Sequence, residues 1–268
     1  MHYRLYTPNS SLSSFIKCYW SLEGEELPGT QQRIFPDGCI ELVFHYGNLF
    51  QKYYPDGISN FQPRSFIHGQ LTRFIEIGGN GRVGMFSVRF QPHGLRPFTN
   101  INTHELNDSN IQIADIWGAA GRELENRMLE ASGNEQRVQI IEQFLLRQLQ
   151  PTAVNALVNR GVDMINQVNG AVNIEDLSAQ LNIGRRHFER QFVAAVGLNP
   201  KQYARISRFQ YVLSLTEQKR YNTLTDLAYS GGFYDQAHFI KDFREFSGLS
   251  PKQYFAEHLP LVKFFSFD

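Results

Sequence analysis

The hydrophobic pattern between residues 173 and 254 occurs twice, with a period of about fifty residues. The segment 197–203 (GLNPKQY) returns as 248–254 (GLSPKQY), and apolar residues at matching offsets precede each copy. A repeat of this length is typical of a duplicated supersecondary unit. We therefore interpret this region as two copies of one small fold.

Each copy begins with the signature of a short helix. A polar residue is followed three positions later by a carboxylate, as in Asn173 with Asp176 and Thr223 with Asp226. Such a pair satisfies the unpaired N–H groups at a helix start. Leucine and isoleucine then recur at helical spacing, which predicts one apolar face.

A break follows the first helix of each copy, at 182–184 and at 230–233. Both breaks contain glycine, which adopts the positive φ of a tight turn without strain. A second helix then places phenylalanines four residues apart, so that each pair is expected to pack on the first helix. The pairs are Phe188 with Phe192 and Phe239 with Phe243. Two short helices across such a turn form a helix-turn-helix, whose second helix enters the DNA major groove.

The outward positions of the two second helices carry side chains that pair with bases. Arginine and lysine recognise guanine, glutamine recognises adenine, and a carboxylate accepts from cytosine. These positions are Arg185, Arg186, Glu189 and Arg190 in the first copy, and Asp235, Gln236, His238, Lys241 and Asp242 in the second. One such face would be consistent with an ordinary solvated helix, but the duplication favours DNA binding.

The same segments carry a resemblance to a known family. The words 184–192 (GRRHFERQF), 232–239 (GFYDQAHF) and 248–251 (GLSP) are similar to those of the AraC/XylS family of bacterial transcription regulators. The resemblance covers about 151 to 258 and is closest over 232–254. It implies two helix-turn-helix units, held rigidly by a long central helix over 201–218, that reach successive major-groove segments on one face of the DNA.

On this analogy six residues occupy groove-facing positions, and Arg185 joins them in the predicted DNA-binding set. The six are Arg186, Glu189, Arg190, Gln236, His238 and Lys241. Gly184 stands where family members usually have a serine, which predicts that one cap or phosphate contact is missing. The implied partners are double-stranded DNA, a small-molecule effector, a second copy of the chain and, for an activator, RNA polymerase.

Charge changes this picture only locally. The chain has a formal net charge of zero, whereas nucleic-acid binders are often basic. Between residues 185 and 220, however, the sequence contains eight basic residues and only two glutamates. The bases are Arg185, Arg186, Arg190, Lys201, Arg205, Arg208, Lys219 and Arg220. We therefore predict a modest basic surface for phosphates within a neutral chain.

The N-terminal half predicts an antiparallel β structure. Five stretches rich in β-branched and aromatic residues alternate with turn sequences such as Pro36-Asp37-Gly38. The predicted strands are 15–22, 39–46, 65–69, 72–77 and 83–90. This spacing favours a small barrel or sandwich. The words at 35–42 and 89–94 are similar to those in the N-terminal domains of one AraC-type subgroup, although this match is looser.

The chain becomes helical after Pro97, with apolar residues at three and four spacing between 113 and 149. Such a helical pair could close the β core or offer an apolar stripe to a second copy. Pro151 marks a boundary, and a helix over 154–168 belongs to the next region. The predicted fold is therefore α+β with two domains. Residues 1–150 form the β-rich sensor or dimerisation domain with appended helices, and residues 151–268 form an all-α tandem helix-turn-helix domain.

The histidines and cysteines of the N-terminal half are the candidates for metal and thiol chemistry. His45, His68 and His93, with Glu41 or Glu76, would suit a metal-dependent cupin-like barrel enzyme fused to a DNA-binding module. Each histidine stands alone in sequence, so we expect neither catalytic residues nor a metal or other cofactor. Cys18 and Cys39 are expected to be reduced thiols, since a redox pair would require their strands to be neighbours.

Eight aromatic residues of the N-terminal half would suit either a plain core or the lining of an effector pocket. They are Tyr19, Trp20, Phe35, Phe44, Tyr46, Phe74, Phe86 and Phe90. AraC-type regulators commonly couple a ligand in this domain to DNA occupancy. The first residues lack a signal-peptide pattern and no apolar run approaches the length of a membrane helix, which predicts a cytoplasmic protein.

Overall fold

The computed structural model describes residues 1–150, 155–218 and 220–256. Its N-terminal half contains two antiparallel sheets. The larger sheet has the strand order β1-β2-β9-β4-β7-β10, and the smaller has the order β3-β8-β5-β6. The strands are β1 (His2–Tyr6), β2 (Ile16–Glu26), β3 (Gln32–Ile34), β4 (Glu41–His45), β5 (Gln51–Tyr53), β6 (Ser59–Phe61), β7 (Ser65–His68), β8 (Ile75–Gly78), β9 (Gly81–Phe90) and β10 (Asn110–Gln112).

The two sheets form an open sandwich and not a closed barrel. Trp20 and Val43 of the larger sheet share one buried core with Ile75 and Ile77 of the smaller sheet. The five predicted strands are all present, although the one expected from residue 72 begins at Ile75. The additional strands have three to five residues each, too short and polar to give a period-two signal.

The opposite face of the larger sheet is covered by two helices, α1 (Ile113–Glu130) and α2 (Asn134–Gln148). Leu124 and Met128 of α1 and Leu145 of α2 lie in one core with Leu42 and Phe86 of the strands. The apolar stripe of the helical pair therefore covers the sheet of its own chain. Because both faces of the larger sheet are buried, its central strands are apolar at successive positions.

The C-terminal region is helical over the residues that the structure describes. Its helices are α3 (Ala156–Gln167), α4 (Ile174–Gln180), α5 (Arg185–Val196), α6 (Pro200–Glu217), α7 (Leu224–Ser230), α8 (Gln236–Ser247) and α9 (Pro251–Ala256). The predicted central helix is α6, which starts at the Asn199 cap. The predicted boundary at Pro151 and the expected helix start at Val154 lie outside the described residues. The proposed division into domains at 150/151 stays a prediction.

One buried core joins the C-terminal helices. Val158, Phe188 and Phe209 belong to it, as does Phe35 from the N-terminal half. Within the described ranges, no helix is long and apolar enough to cross a membrane.

Cys18 and Cys39 are both free thiols. Cys18 lies in β2, whereas Cys39 precedes β4, and β9 lies between these two strands in the sheet. The condition for a redox pair is therefore not met. Burial raises the pKa of the Cys39 thiol to about 12, which keeps it protonated and unreactive near neutral pH.

Candidate nucleic-acid interface

The two predicted helix-turn-helix units are present, α4 with α5 and α7 with α8, and they share one turn geometry. In each unit the amide that closes the turn donates to a carbonyl five residues earlier. Ile183 donates to Ser178 at 3.1 Å, and Phe233 donates to Ala228 at 3.0 Å. The matching bonds show that the sequence repeat is also a structural repeat.

The residue with positive φ in each turn is Asn182 at 53° and Gly232 at 75°. The expectation of a glycine at this point is confirmed in the second unit and wrong in the first, where asparagine takes the left-handed conformation. Asparagine tolerates that conformation better than most residues. Gly184 instead has φ −65° and is the N-cap residue of α5, without a side-chain cap. The equivalent helix α8 has Asp235 as its cap, which accepts from the His238 amide at 2.7 Å.

The predicted caps of the first helices are present. The Asn173 side chain accepts from the Glu175 amide at 2.8 Å, and Thr223 accepts from the Asp226 amide at 3.0 Å. Asp226 in turn accepts from the Asn222 amide at 2.9 Å, so the carboxylate satisfies a donor just before the cap. These bonds fix where each unit starts.

The phenylalanine pairs form the buried back of the second helices. Phe188, Phe192, Phe239 and Phe243 are each no more than 1% exposed. The two rings of each pair meet edge to face, with centroids 5.5 Å apart in α5 and 5.6 Å apart in α8. The opposite faces of α5 and α8, which we call the reading helices, consequently point to solvent.

The exposed face of α5 carries the four predicted residues, two of which pair with each other. Arg185 Nε lies 2.9 Å from Glu189 Oε1, and Arg185 also pairs with Glu175 at 3.2 Å. The hydrogen bond that Arg185 donates to Glu189 raises the pKa of the guanidinium above its ordinary value. Arg186 and Arg190 are exposed on the same helix. These two guanidinium groups are therefore the better placed to contact DNA.

The exposed face of α8 carries Gln236 and Lys241, with His238 at its edge. His238 Nε2 lies 3.5 Å from a carboxylate oxygen of Asp242, and its ring meets Phe233 edge to face. Asp242 itself was expected to point outward, and this expectation is wrong: its side chain is 2% exposed. It faces α6 because Arg205 holds it there.

The basic surface is smaller than the composition indicates. Arg205 donates to Asp242 and to Glu245, both of α8. Arg208 lies over the Phe233 ring, and burial lowers the pKa of its guanidinium. Lys219 lies outside the described residues. Among the predicted basic residues, those exposed on the described surface are Arg185, Arg186, Arg190, Lys201 and Arg220, and Arg185 is already paired with Glu175 and Glu189.

The sequence interpretation missed Tyr234, which is 87% exposed and precedes the Asp235 cap of α8. Tyr229 at the end of α7 is 62% exposed. Large exposed aromatics beside the start of a reading helix offer both a hydrogen bond and an apolar face. The sequence contained a sign of this exposure, because Tyr234 immediately precedes Asp235, a residue type that caps helices, and therefore lies in the turn before α8.

A second candidate site is a cavity of about 70 Å³ between the two sheets. Of the eight aromatic residues considered as a lining, Trp20 and Phe35 contribute to its wall. Tyr19, Phe44, Phe86 and Phe90 instead lie in the core beneath α1 and α2. Alternation along the strands explains the division, because neighbours such as Tyr19 and Trp20 point to opposite faces.

The polar end of this cavity is an ion-pair cluster. Arg89 Nε lies 2.7 Å from Glu41, and Arg89 Nη2 lies 3.4 Å from Asp37. Trp20 donates its indole N–H to Glu41 at 3.0 Å. His68 also borders the cavity, and burial lowers the pKa of its ring to about 4.

The histidines considered as metal ligands are separated. His68 is the register partner of Glu41 across β4 and β7. His45 bonds to Gln62 at 3.2 Å and stacks on Phe50. Among the described residues, no group of three histidine, cysteine or carboxylate side chains is placed to hold a metal ion.

Family models match two parts of the chain. A model described as a helix-turn-helix domain matches residues 177–257, and one described as a domain of unknown function (DUF6597) matches residues 4–112. Two curated bacterial proteins are similar to part of this chain.

An uncharacterized HTH-type transcriptional regulator of Haemophilus influenzae is 30% identical over 115 residues, which cover 43% of this chain and 37% of that protein. The Msm operon regulatory protein of Streptococcus mutans is 27% identical over 121 residues, covering 43% of this chain and 42% of that protein. The match thus spans about two fifths of the length of these relatives. The solved structure of ToxT from Vibrio cholerae aligns with a TM-score of 0.48 at 10% identity, over 88% of this chain and 96% of that chain.

Proposed function

We propose that this chain, whose C-terminal region is an AraC-type helix-turn-helix domain, regulates transcription inside the cell by binding a specific double-stranded DNA sequence. One observation carries the proposal. Two turn units with matching hydrogen bonds each present a solvent-facing second helix, backed by an edge-to-face phenylalanine pair. A single unit would be weaker support, because a protein with two reading helices can contact two groove segments.

The reading helices insert into successive major-groove segments about 34 Å apart along the DNA. In α5, Arg186 and Arg190 donate to guanine edges, while Arg185 orients Glu189. In α8, Gln236 contacts an adenine, and Lys241 and His238 contact base edges or phosphates beside it. The modest number of exposed basic side chains predicts weak non-specific affinity for DNA and a shallow dependence of that affinity on salt.

A small-molecule effector binds the cavity between the sheets. The support is chemical: apolar side chains form most of the wall, and His68 Nε2 is a buried ring nitrogen without a hydrogen-bond partner in the described structure. The effector class is therefore a small apolar molecule with one hydrogen-bonding group. A thermal-shift screen of such molecules should yield a compound whose effect disappears in Val43→Phe, which fills the cavity. A screen whose hits act equally on both proteins would refute the cavity as the site.

The DNA proposal is tested with duplexes selected from a randomised library by the full chain. Fluorescence anisotropy then compares a selected duplex with its scrambled version over a salt series. A preference of about a thousandfold or more is the expected result. Equal and weak binding to both duplexes would rule out a sequence-specific regulator, and the slope against salt counts the phosphates that the protein neutralises.

The alternative function, a metal-dependent enzyme in the N-terminal half, has less support. It would need ligands from His45, His68 and His93 to converge, whereas His45 bonds to Gln62 and stacks on Phe50, and His68 bonds to the carbonyl of Gly69. The matched curated proteins are named as regulators. We propose that the chain acts by binding and not by catalysis.

A further inference from the structure

The C-terminal ends of both reading helices contact the N-terminal half of the chain. Asn107 donates its side-chain amide to the carbonyl of Gly197 at 2.8 Å, and Thr103 donates to the carbonyl of Ala194 at 3.1 Å. Ala194 lies in the last turn of α5 and Gly197 is its C-cap residue, where helix acceptors have no partner within the helix. The N-terminal half therefore completes the end of the first reading helix.

The second reading helix is held at the equivalent place. The Phe74 ring packs so tightly on Gly248 that a Cβ there would lie 2.3 Å from it. Arg33 lies over the same ring, with Arg33 Cζ 4.9 Å from its centroid, and reaches towards the carbonyl of Ser247. Gly197 and Gly248 are the same position of the sequence repeat, and both have positive φ, at 89° and 74°. The duplicated motif thus presents two matching attachment points.

A short path connects the two attachments within the N-terminal half. Asp108, next to Asn107, accepts from the backbone amide of Thr72 at 2.8 Å and from the Thr72 hydroxyl at 2.5 Å. Thr72 is two residues from Phe74. Asp108 has φ 57°, in the left-handed region, where aspartate and asparagine are tolerated better than most residues other than glycine. Both of its carboxylate oxygens are engaged by Thr72, so the Asp108 side chain fixes this loop to the segment that carries Phe74.

We propose that Arg33, Thr72, Phe74, Thr103, Asn107 and Asp108 form a brace that fixes the relative position of the two reading helices, with Asp108 as the positioning residue at its centre. The helix α6 already connects the two units on one side. The brace adds a second connection at the ends of α5 and α8, so that neither helix can rotate independently. This inference rests on the proposed function, because it assigns the spacing of the DNA site to the N-terminal half.

The brace predicts a DNA readout that a general loss of stability would not produce. One base pair inserted between the two contacted segments moves one of them by about 3.4 Å and rotates it around the duplex. A braced protein cannot follow, so we expect at least a tenfold loss of affinity for the wild type. In Asp108→Gly the same insertion should lower the affinity only about threefold. Glycine at this position keeps the backbone conformation and removes the bonds to Thr72.

Matched variants separate the brace from other effects. Thr72→Val removes the hydroxyl and should move the insertion penalty in the same direction by a smaller factor. Arg73→Ala, an exposed neighbour between Thr72 and Phe74, should keep the wild-type penalty. An Asp108→Gly penalty equal to that of the wild type, with specific binding intact, would overturn the brace.

A measurement without DNA keeps the two proposals distinguishable. Nitroxides attached through a ketone-bearing amino acid at exposed positions 180 and 237 report the distance between the units, and Cys18 and Cys39 stay untouched. Pulsed electron–electron double resonance should show one narrow distribution of nitroxide distances in the wild type and a broader distribution in Asp108→Gly. An unchanged width would overturn the brace. A wild type that selects no duplex would instead overturn the proposed function, and the distance distribution would then decide on the brace by itself.

Discussion

Arg205 in α6 donates two hydrogen bonds to Asp242 in α8, from Nη2 at 2.8 Å and from Nε at 3.1 Å. The carboxylate is 2% exposed, whereas the arginine keeps 21% of its side chain in solvent. The hydrogen bonds that Arg205 donates to Asp242 raise the pKa of the guanidinium above its ordinary range. This pair fixes the second reading helix to the central helix.

Replacing Asp242 should therefore destabilise the protein. We expect Asp242→Asn to lower the free energy of unfolding by about 2 kcal/mol, because it leaves a half-buried guanidinium with an incomplete partner. Urea denaturation measures the change. Glu245→Gln is the control, since Glu245 is exposed and its loss should cost no more than about 0.5 kcal/mol. Equal effects of the two substitutions would show that the buried bidentate geometry contributes nothing extra.

The arginines of α5 should differ in their effect on DNA binding. Arg190→Ala and Arg186→Ala are each expected to cost about 1–3 kcal/mol and to relax preference at one base position. Arg185→Ala should cost less, because Glu175 and Glu189 already neutralise its guanidinium. Affinities for a selected duplex and its single-base variants measure both effects. A uniform loss across all variants would identify the residue as a phosphate contact.

The two turns predict opposite outcomes for two glycine substitutions. Gly184→Ser should stabilise the protein by about 0.5–1 kcal/mol, because the site is open, φ is −65° and α5 lacks a side-chain cap.

Gly232→Ala should destabilise it by about 1–2 kcal/mol, because φ is 75° and the new Cβ would lie 2.9 Å from the Cβ of Ala171. Thermal and urea unfolding test both changes. Stabilisation by Gly232→Ala would contradict the turn geometry.

Buried histidines should make the stability of the chain depend on pH. Burial lowers the pKa of His45 to about 4 in the folded state, against about 6.5 in an unfolded chain. Between these values the unfolded chain binds a proton that the folded chain does not, so the free energy of unfolding falls as the pH falls from about 6.5 to 4.

His45→Gln should reduce that slope by about 1 kcal/mol per pH unit, and the exposed His2→Gln should leave it unchanged. Urea midpoints at several pH values provide the test. A slope that is identical in His45→Gln and the wild type would show that His45 binds its proton equally well in the folded and the unfolded chain.

Local features were predictable from the sequence to different degrees. The caps at Asn173 and Thr223 follow from short-range chemistry and are confirmed. The five predicted strands are also present, since apolar side chains run through each of them. The positive φ at Asn182 was assigned to the wrong residue, because asparagine and glycine both suit such a turn and only the closing hydrogen bond chooses between them.

Sequence periodicity alone could not predict which residues pack against a given helix face. Asp242 follows the solvent pattern of α8 by spacing, yet Arg205, thirty-seven positions earlier, draws it inward. Phe35 belongs by sequence to the N-terminal half but packs against Phe209 of α6, with ring centroids 5.8 Å apart. Both outcomes depend on partners far away in the chain.

The sequence by itself determined the duplicated helix-turn-helix, because helix spacing, capping and turn conformation are set by residues within a few positions of one another. The tertiary structure alone decided that the sheets stay open, that Trp20 and Phe35 border the cavity, and that Asn107 and Phe74 hold the ends of the reading helices. These features arise from contacts between distant segments, whose geometry is fixed only when the whole chain packs.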